Sequence, residues 1–165
     1  MQEAFENLDS SVSRFLKKLE AVNEKIAKIE KKLQEVRSEL EPLESEILEL
    51  SSKIEELQRK IHTKLNKAKR VRKLFLQEDD INKIEELRRD YDNIMKEVHK
   101  LDKELKKLRK EYSELLEKES KLLDKETKLE EEKAELYHDR EKLLSKVQNL
   151  MKHLNNKISQ IKKER

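Results

Sequence analysis

Apolar residues recur along the first half of the chain with the seven-residue spacing of a coiled coil. With Phe5 taken as heptad position a, the a positions are Phe5, Val12, Leu19, Ile26, Leu33, Leu40, Ile47, Ile54, Ile61, Ala68 and Phe75. The d positions are Leu8, Phe15, Val22, Ile29, Val36, Leu43, Leu50, Leu57, Lys64 and Val71, of which only Lys64 is polar. Neither a disordered segment nor a single solvated helix has a physical reason to keep this period. The pattern therefore predicts a long helix whose narrow apolar seam packs against another helix.

A second heptad pattern begins at Ile84 and continues to the end of the sequence. Its d positions are Leu87, Ile94, Leu101, Leu108, Leu115, Leu122, Leu129, Leu136, Leu143, Leu150 and Lys157. Ile84 follows Phe75 by nine residues, which fits neither whole heptads nor the usual three- or four-residue insertions. The seam is thus interrupted once, near the middle of the chain. Asp79 or Asp80 can cap a new helix there, because a carboxylate accepts backbone N–H groups and complements the positive helix N-terminus.

The interruption predicts that the chain folds back on itself. The predicted fold class is all-α, a long antiparallel two-helix coiled-coil hairpin, with a first helix over 1–78, a turn over 79–83 and a second helix over 84–165. Charges beside the seams favour this arrangement, because pairing Phe75 with Leu87 brings oppositely charged g positions together. The attractive g pairs are Lys67–Glu97, Lys60–Glu104, Lys53–Glu111, Glu46–Lys118, Glu39–Lys125, Lys32–Glu132 and Lys25–Asp139. A parallel dimer would instead stack charged a residues of the second pattern against their own copies, which is costly.

Two features of the predicted hairpin leave alternatives open. Two extended chains that cross near residue 81 would make the same contacts by domain swapping, giving an extended coiled-coil rod dimer. Pro42 lacks a backbone N–H and lies at an outward position of the first helix, so it is either a tolerated surface proline or the site of a kink.

The amino-acid composition excludes several classes of function for this chain. Charged residues make up 47% of the chain, hydrophobic residues 34%, and there is no Gly or Cys. This composition does not suit a globular core, and it provides no disulfide, thiolate metal site or Gly-rich phosphate loop. We therefore expect no catalytic, metal or cofactor-binding residue and no enzymatic activity. The net charge of +3 gives no overall attraction to nucleic acid or membrane. No apolar stretch is long enough to span a membrane and no secretory signal is visible, so the expected location is intracellular, either cytoplasmic or nuclear.

The apolar face of the second helix widens from residue 115 onward. Apolar side chains occupy e positions beside the d leucines, whereas a two-stranded seam needs only a and d. These candidate partner-helix contacts are Leu116, Leu123, Tyr137, Leu144, Met151 and Ile158. They either cover the polar a residues between 119 and 140, or they contact another helix through self-association or a partner protein.

A cationic cluster is predicted just below the turn. Folding back brings basic residues of both helices together, and their like charges invite an anionic partner. The cluster consists of Lys69, Arg70, Arg72, Lys73, Arg88 and Arg89. No aromatic residues are interleaved for base stacking, and the alternative interpretation is an ordinary solvated helix face.

The favoured function is a structural or scaffold coiled coil that acts as a rigid spacer and as a helix-mediated interaction module in a larger assembly. The alternative is an arm that presents its basic tip to nucleic acid or to an acidic filament. The architecture resembles the antiparallel arms of chromosome-organising ATPases, of the dynein stalk and of seryl-tRNA synthetase, a resemblance carried by the heptads alone. A zinc-clasped tip is excluded because the Cys-x-x-Cys hook of some such arms is absent.

Overall fold

The computed structural model describes the backbone of residues 2–164 and the side chains of residues 6, 7 and 9–164. This part of the chain forms two helices and no strand, with α1 at Gln2–Gln77 and α2 at Ile81–Glu164. The helices pack against each other, which confirms the predicted all-α helical hairpin. The predicted seam residues Phe5 and Leu8 lie outside the described side chains, and Met1 and Arg165 lie outside the described backbone.

Packing divides the hairpin into two units, each built from a segment of both helices. The terminal unit contains residues Met1–Glu39 and Leu122–Arg165, and the turn unit contains Leu40–Lys121.

The core of each unit is the predicted seam. In the terminal unit the buried side chains are Ile26, Ile29, Leu33, Val36 and Leu129. In the turn unit they are Leu40, Leu43, Ile47, Leu50, Leu57, Ala68, Val98 and Leu105. All of them occupy a or d positions, and no polar or charged side chain of the described residues is buried. Removal of this apolar area from water, at roughly 25 cal/mol per Å², is therefore the main source of stability.

Polar contacts between the helices show their register. In the terminal unit, Arg37 Nη2 lies 2.6 Å from Glu130 Oε1, and the Tyr137 hydroxyl donates a hydrogen bond of 3.0 Å to Glu30 Oε1. Both pairs join e positions that face each other when Phe75 is aligned with Leu87. The observed register is therefore the predicted one.

The ion pairs across the g positions differ from the prediction. None of the seven predicted g pairs lies within 4.0 Å, although Lys25, Lys32, Glu132 and Asp139 line one groove as expected. Lys60, for example, lies 3.9 Å from Glu56 in its own helix. An exposed amine gains little from any one carboxylate, so neighbours four residues away compete with the opposite helix.

The seam also contains one polar residue of α1, as predicted. Lys64 donates a hydrogen bond to Glu97 of α2, in place of the predicted Lys67–Glu97 pair. The hydrogen bond and positive charge of Lys64 lower the pKa of Glu97, and Lys67 contributes a smaller effect in the same direction. A half-buried lysine at a d position is thus neutralised by a carboxylate at the edge of the seam.

The turn is shorter than predicted and lies slightly earlier. It comprises residues 78–80 instead of 79–83, and α2 begins at Ile81 instead of residue 84. The Asp80 carboxylate accepts the Asn82 N–H at 3.1 Å, and the Ile84 N–H donates to the Asp80 carbonyl at 2.9 Å. This cap completes the first helical turn before the apolar seam starts at Ile84. Among the described residues no backbone φ is positive, so the turn forms without glycine.

Replacement of Asp80 by alanine is expected to lower the free energy of unfolding by about 0.5–2 kcal/mol, because the Asn82 N–H loses its side-chain acceptor. Asp79→Ala is the matched control, since the structure gives its carboxylate no hydrogen bond. Urea unfolding followed by circular dichroism measures both variants. Equal losses for the two would contradict the assignment of Asp80 as the cap.

Helix α1 continues through Pro42. The division between the two units falls two residues before this proline, between Glu39 and Leu40. A kink at Pro42 stays a prediction.

Candidate functional site

The six predicted partner-contact residues of α2 remain accessible to different degrees. Leu123, Leu144, Met151 and Ile158 of the terminal unit are 39–47% exposed, and Leu116 of the turn unit is 39% exposed. Tyr137 is half-buried. The hairpin therefore leaves five of these six side chains exposed to water.

A residue of α1 that the sequence interpretation did not single out extends this surface. Leu16 occupies an e position of α1 and is 48% exposed. In the observed register it faces Met151. The sequence could have identified Leu16, because it is an apolar side chain at an e position, which is the criterion that was applied to α2. We define the apolar stripe as these residues of the terminal unit: Leu16, Leu123, Tyr137, Leu144, Met151 and Ile158.

Tyr137 connects the apolar stripe to the polar a positions. Its hydroxyl binds Glu30, and its ring lies 4.4 Å from the Arg140 guanidinium and 5.8 Å from the Lys133 amine. Cations over an aromatic face are attracted by its quadrupole. Tyr137 thus covers polar a residues, which is one of the two roles predicted for the e positions. The exposed residues of the stripe are accessible to another helix.

The charged residues beside the stripe are paired within the hairpin. Arg37 lies 2.6 Å from Glu130 and 3.7 Å from Glu126. The Lys133 amine lies 3.8 Å from Glu30. Glu126 and Lys133 are polar a residues of α2, and both reach e positions of α1. The charges on this side of the terminal unit therefore largely neutralise one another.

The outer border of the stripe on α2 is also poor in charge. The b positions lie next to the e positions on a helix surface. In the terminal unit they are Thr127, Ala134, Glu141, Gln148, Asn155 and Lys162, so charge is absent from most of them. In a chain that is 47% charged, this is a distinct low-charge surface. The sequence carried this signal, but the prediction considered only the e positions.

The opposite side of the terminal unit is highly charged. The groove there has Ile29 and Leu136 at its floor and is otherwise lined by Lys25, Lys28, Lys32, Glu132, Glu135 and Asp139. The two sides of the terminal unit therefore differ in polarity. Among the described side chains of the terminal unit, only those on the stripe side offer an exposed apolar surface to another helix.

The predicted cationic cluster lies in the turn unit, and all six of its side chains are exposed. Arg72 and Arg88 line one groove together with Phe75, Leu76, Tyr91 and Asp92. Among the ion pairs described in the structure, none within 4.0 Å involves a member of the cluster. The six basic side chains are therefore exposed without an ion pair within 4.0 Å among those described, and their role in binding an anionic partner stays a prediction.

The described residues contain no group of three or more histidine, aspartate or glutamate side chains arranged to hold a metal ion. Within the same part of the chain, neither helix includes a segment with the length and apolar character needed to cross a membrane. Comparison of the chain with protein-family models, with curated proteins and with solved structures finds no match.

Proposed function

We propose that this chain is a non-enzymatic scaffold protein that acts inside the cell, and that its copies assemble through the apolar stripe of the terminal unit. The observation that carries the proposal is the exposure of Leu123, Leu144, Met151 and Ile158 beside charges that are already paired. The proposed occupant of the stripe is the stripe of a second copy.

The spacing of the stripe fits a helical occupant. Its α2 members occupy e positions at the seven-residue period, so they form a ridge along one side of the helix that is interrupted once, at Glu130. A helix is the element that presents matching side chains at the same period. Polar residues at b positions can then border the contact, as they do in helical bundles.

The neutrality of the surface favours a second copy as the occupant. A strongly charged surface would meet like charge if it faced itself, whereas this surface has Arg37 and Lys133 already paired with carboxylates. When two stripes face each other antiparallel about a two-fold axis, Tyr137 can meet Leu144 and Leu123 can meet Ile158. Each of these two apolar pairs then occurs twice, as an isologous interface requires, and Met151 meets Glu130, which is already paired with Arg37.

The size of the stripe predicts a reversible dimer. From Leu123 to Ile158, α2 rises roughly 50 Å at ~1.5 Å per residue, and a helix is about 10 Å wide. Each copy could therefore bury on the order of 500 Å², which places the total near the lower limit of about 1,000 Å² for specific interfaces. Association should accordingly depend on protein concentration.

Simultaneous replacement of Leu123, Leu144 and Met151 by glutamine is expected to keep the protein monomeric at concentrations where the unmodified chain dimerises. Glutamine is a good helix former, so the substitutions remove apolar surface while preserving helix propensity. Sedimentation equilibrium over a range of concentrations measures the mass, and circular dichroism checks that the helices persist.

The matched control places three glutamines on the charged side of the terminal unit, at Lys28, Lys32 and Glu135. These substitutions should leave the dimer intact. A chain that is monomeric at every concentration would contradict the proposal. A dimer that survives the triple stripe substitution would contradict it as well, because exchange of whole helices between chains depends on the seam and not on the stripe.

A second candidate function is an arm that presents the cationic cluster to an anionic partner. It is favoured by the exposure of the six basic side chains and by the absence of carboxylates within 4.0 Å of them in the described ion pairs. Charge reversal at Arg70, Arg72, Arg88 and Arg89 would then abolish binding of that partner without changing self-association.

A further inference from the structure

The end of the hairpin exposes apolar side chains that the seam pattern did not predict to be exposed. Leu74 is 55%, Leu76 is 72% and Ile81 is 74% exposed. Phe75, the last predicted seam residue of α1, is 36% exposed because the seam ends at the turn. Large apolar residues grouped at one surface are characteristic of interaction sites.

Part of this apolar surface lies in a groove beside the cationic cluster. One hollow is lined by Arg72, Phe75, Leu76, Arg88, Tyr91 and Asp92. A second hollow shares Arg72 and Tyr91 with the first and is also lined by Leu65, Lys69 and Met95. The two hollows therefore adjoin along the turn unit, and we call them together the tip groove.

The tip groove combines an apolar floor with a cationic rim. Phe75, Tyr91 and Met95 contribute apolar and aromatic surface, while Lys69, Arg72 and Arg88 contribute positive charge. Asp92 is the only carboxylate in the lining. Unlike Arg37 and Lys64, the three cations have no carboxylate within 4.0 Å among the described ion pairs.

We propose that the tip groove binds an acidic amphipathic helix of a partner protein. This inference rests on the second candidate function and specifies its partner. Apolar side chains of that helix occupy the hollows over Phe75, Tyr91 and Met95, and its glutamates or aspartates meet Lys69, Arg72 and Arg88. Helix-in-groove binding uses apolar anchors three or four residues apart, and opposite charge at the border selects the partner.

The chemistry of the groove favours a protein over nucleic acid or a membrane. Nucleic-acid surfaces combine basic residues with stacking aromatics. The tip groove contains two aromatic side chains, Phe75 and Tyr91, but Leu65, Leu76 and Met95 give the rest of its apolar lining no base-stacking face. Glu78, Asp79 and Asp80 form the turn, within four residues of the groove residue Leu76. These carboxylates repel a phosphate backbone or an anionic lipid surface that extends over the end, whereas a single short helix can lie in the groove beside them.

The test uses the full chain and a fluorescent synthetic peptide with leucine at every third or fourth position and glutamate between. Fluorescence anisotropy should show binding that weakens with added salt. The double variant Arg72→Glu and Arg88→Glu should weaken it about tenfold or more. A second peptide with lysine in place of glutamate should show the reverse preference, binding the double variant better than the unmodified chain. Separately, Leu76→Gln and Met95→Gln should weaken the glutamate peptide, which identifies the apolar floor.

Charge reversal at Lys103 and Lys110, exposed residues outside the tip groove, is the matched control and should leave peptide affinity unchanged. Equal loss in the control and in the double variant would overturn the proposal, because it would show attraction to net charge alone. Failure of the glutamate peptide to bind would overturn it too. Stronger binding of an oligonucleotide or of vesicles containing anionic lipid would overturn the protein partner while leaving the arm function standing. None of these outcomes bears on the dimer, which is measured separately by mass.

Discussion

Replacement of Leu33 by alanine is expected to lower the free energy of unfolding by about 2–5 kcal/mol. Leu33 is the most deeply buried large side chain of the described residues, with 1% of its surface exposed. The loss combines the transfer free energy of the deleted atoms with the cost of the cavity. A coiled-coil seam is only one layer of side chains thick, so Ile29, Val36 and Leu129 have little freedom to close the gap.

Leu48 provides the matched control for this prediction. It lies in the same helix but is 70% exposed, so Leu48→Ala makes the same chemical change without creating a cavity. We expect it to change stability by no more than about 0.5 kcal/mol. Denaturant unfolding should be measured for both variants at one protein concentration, because self-association would add to apparent stability. Similar losses for the two variants would contradict the assignment of the seam as the source of stability.

The seam and the fold-back were predictable because they follow from the spacing of apolar residues. A single run of a and d positions from Val12 to Val71 commits α1 to one narrow face, and the nine-residue offset before Ile84 requires an interruption. Large burial energies depend on that spacing, so burial of these a and d positions dominates the choice of fold. The opposing e positions Arg37 and Glu130 then follow from the same register.

The choice of ion-pair partners was not predictable from the same pattern. Lys60 could reach Glu104 across the seam or Glu56 in its own helix, and the structure shows the second. Such exposed pairs differ by a fraction of about 1 kcal/mol, so side-chain geometry decides between them. The start of α2 was missed for a related reason. The cap at Asp80 depends on local hydrogen bonds, whereas the prediction placed the helix where the apolar pattern resumes.

The candidate surfaces were predicted only in part. Charge could be read along the chain, so the cationic cluster was found, but the apolar residues beside it were not. Leu74 and Leu76 belong to no seam position, and Phe75 was assigned to the seam. Their exposure becomes visible only when the end of the packed pair is known. The interaction properties of the hairpin thus depend on where the seam stops as much as on the seam itself.

Charge reversal at Arg37 is expected to lower the free energy of unfolding by about 1–2 kcal/mol, with recovery of most of the loss when Glu130 is reversed as well. Arg37→Glu replaces attraction to Glu130 at 2.6 Å and Glu126 at 3.7 Å by repulsion. Adding Glu130→Arg restores an opposite pair at the shorter contact. A double-mutant cycle measured by denaturant unfolding gives the coupling free energy directly. We discount the single-site loss for solvent screening because the Arg37 side chain is 58% exposed.

This cycle tests the register as well as the ion pair. Displacement of one helix by a heptad would place Leu123 or Tyr137 opposite Arg37, and reversal at Glu130 could not then restore stability. Arg59 supplies the control, because its partner Glu55 lies in its own helix at 3.8 Å. Arg59→Glu combined with Glu130→Arg should therefore show no coupling. Coupling at Arg37 without coupling at Arg59 requires the e positions of Arg37 and Glu130 to be in contact, whereas absence of coupling at Arg37 would contradict the observed alignment.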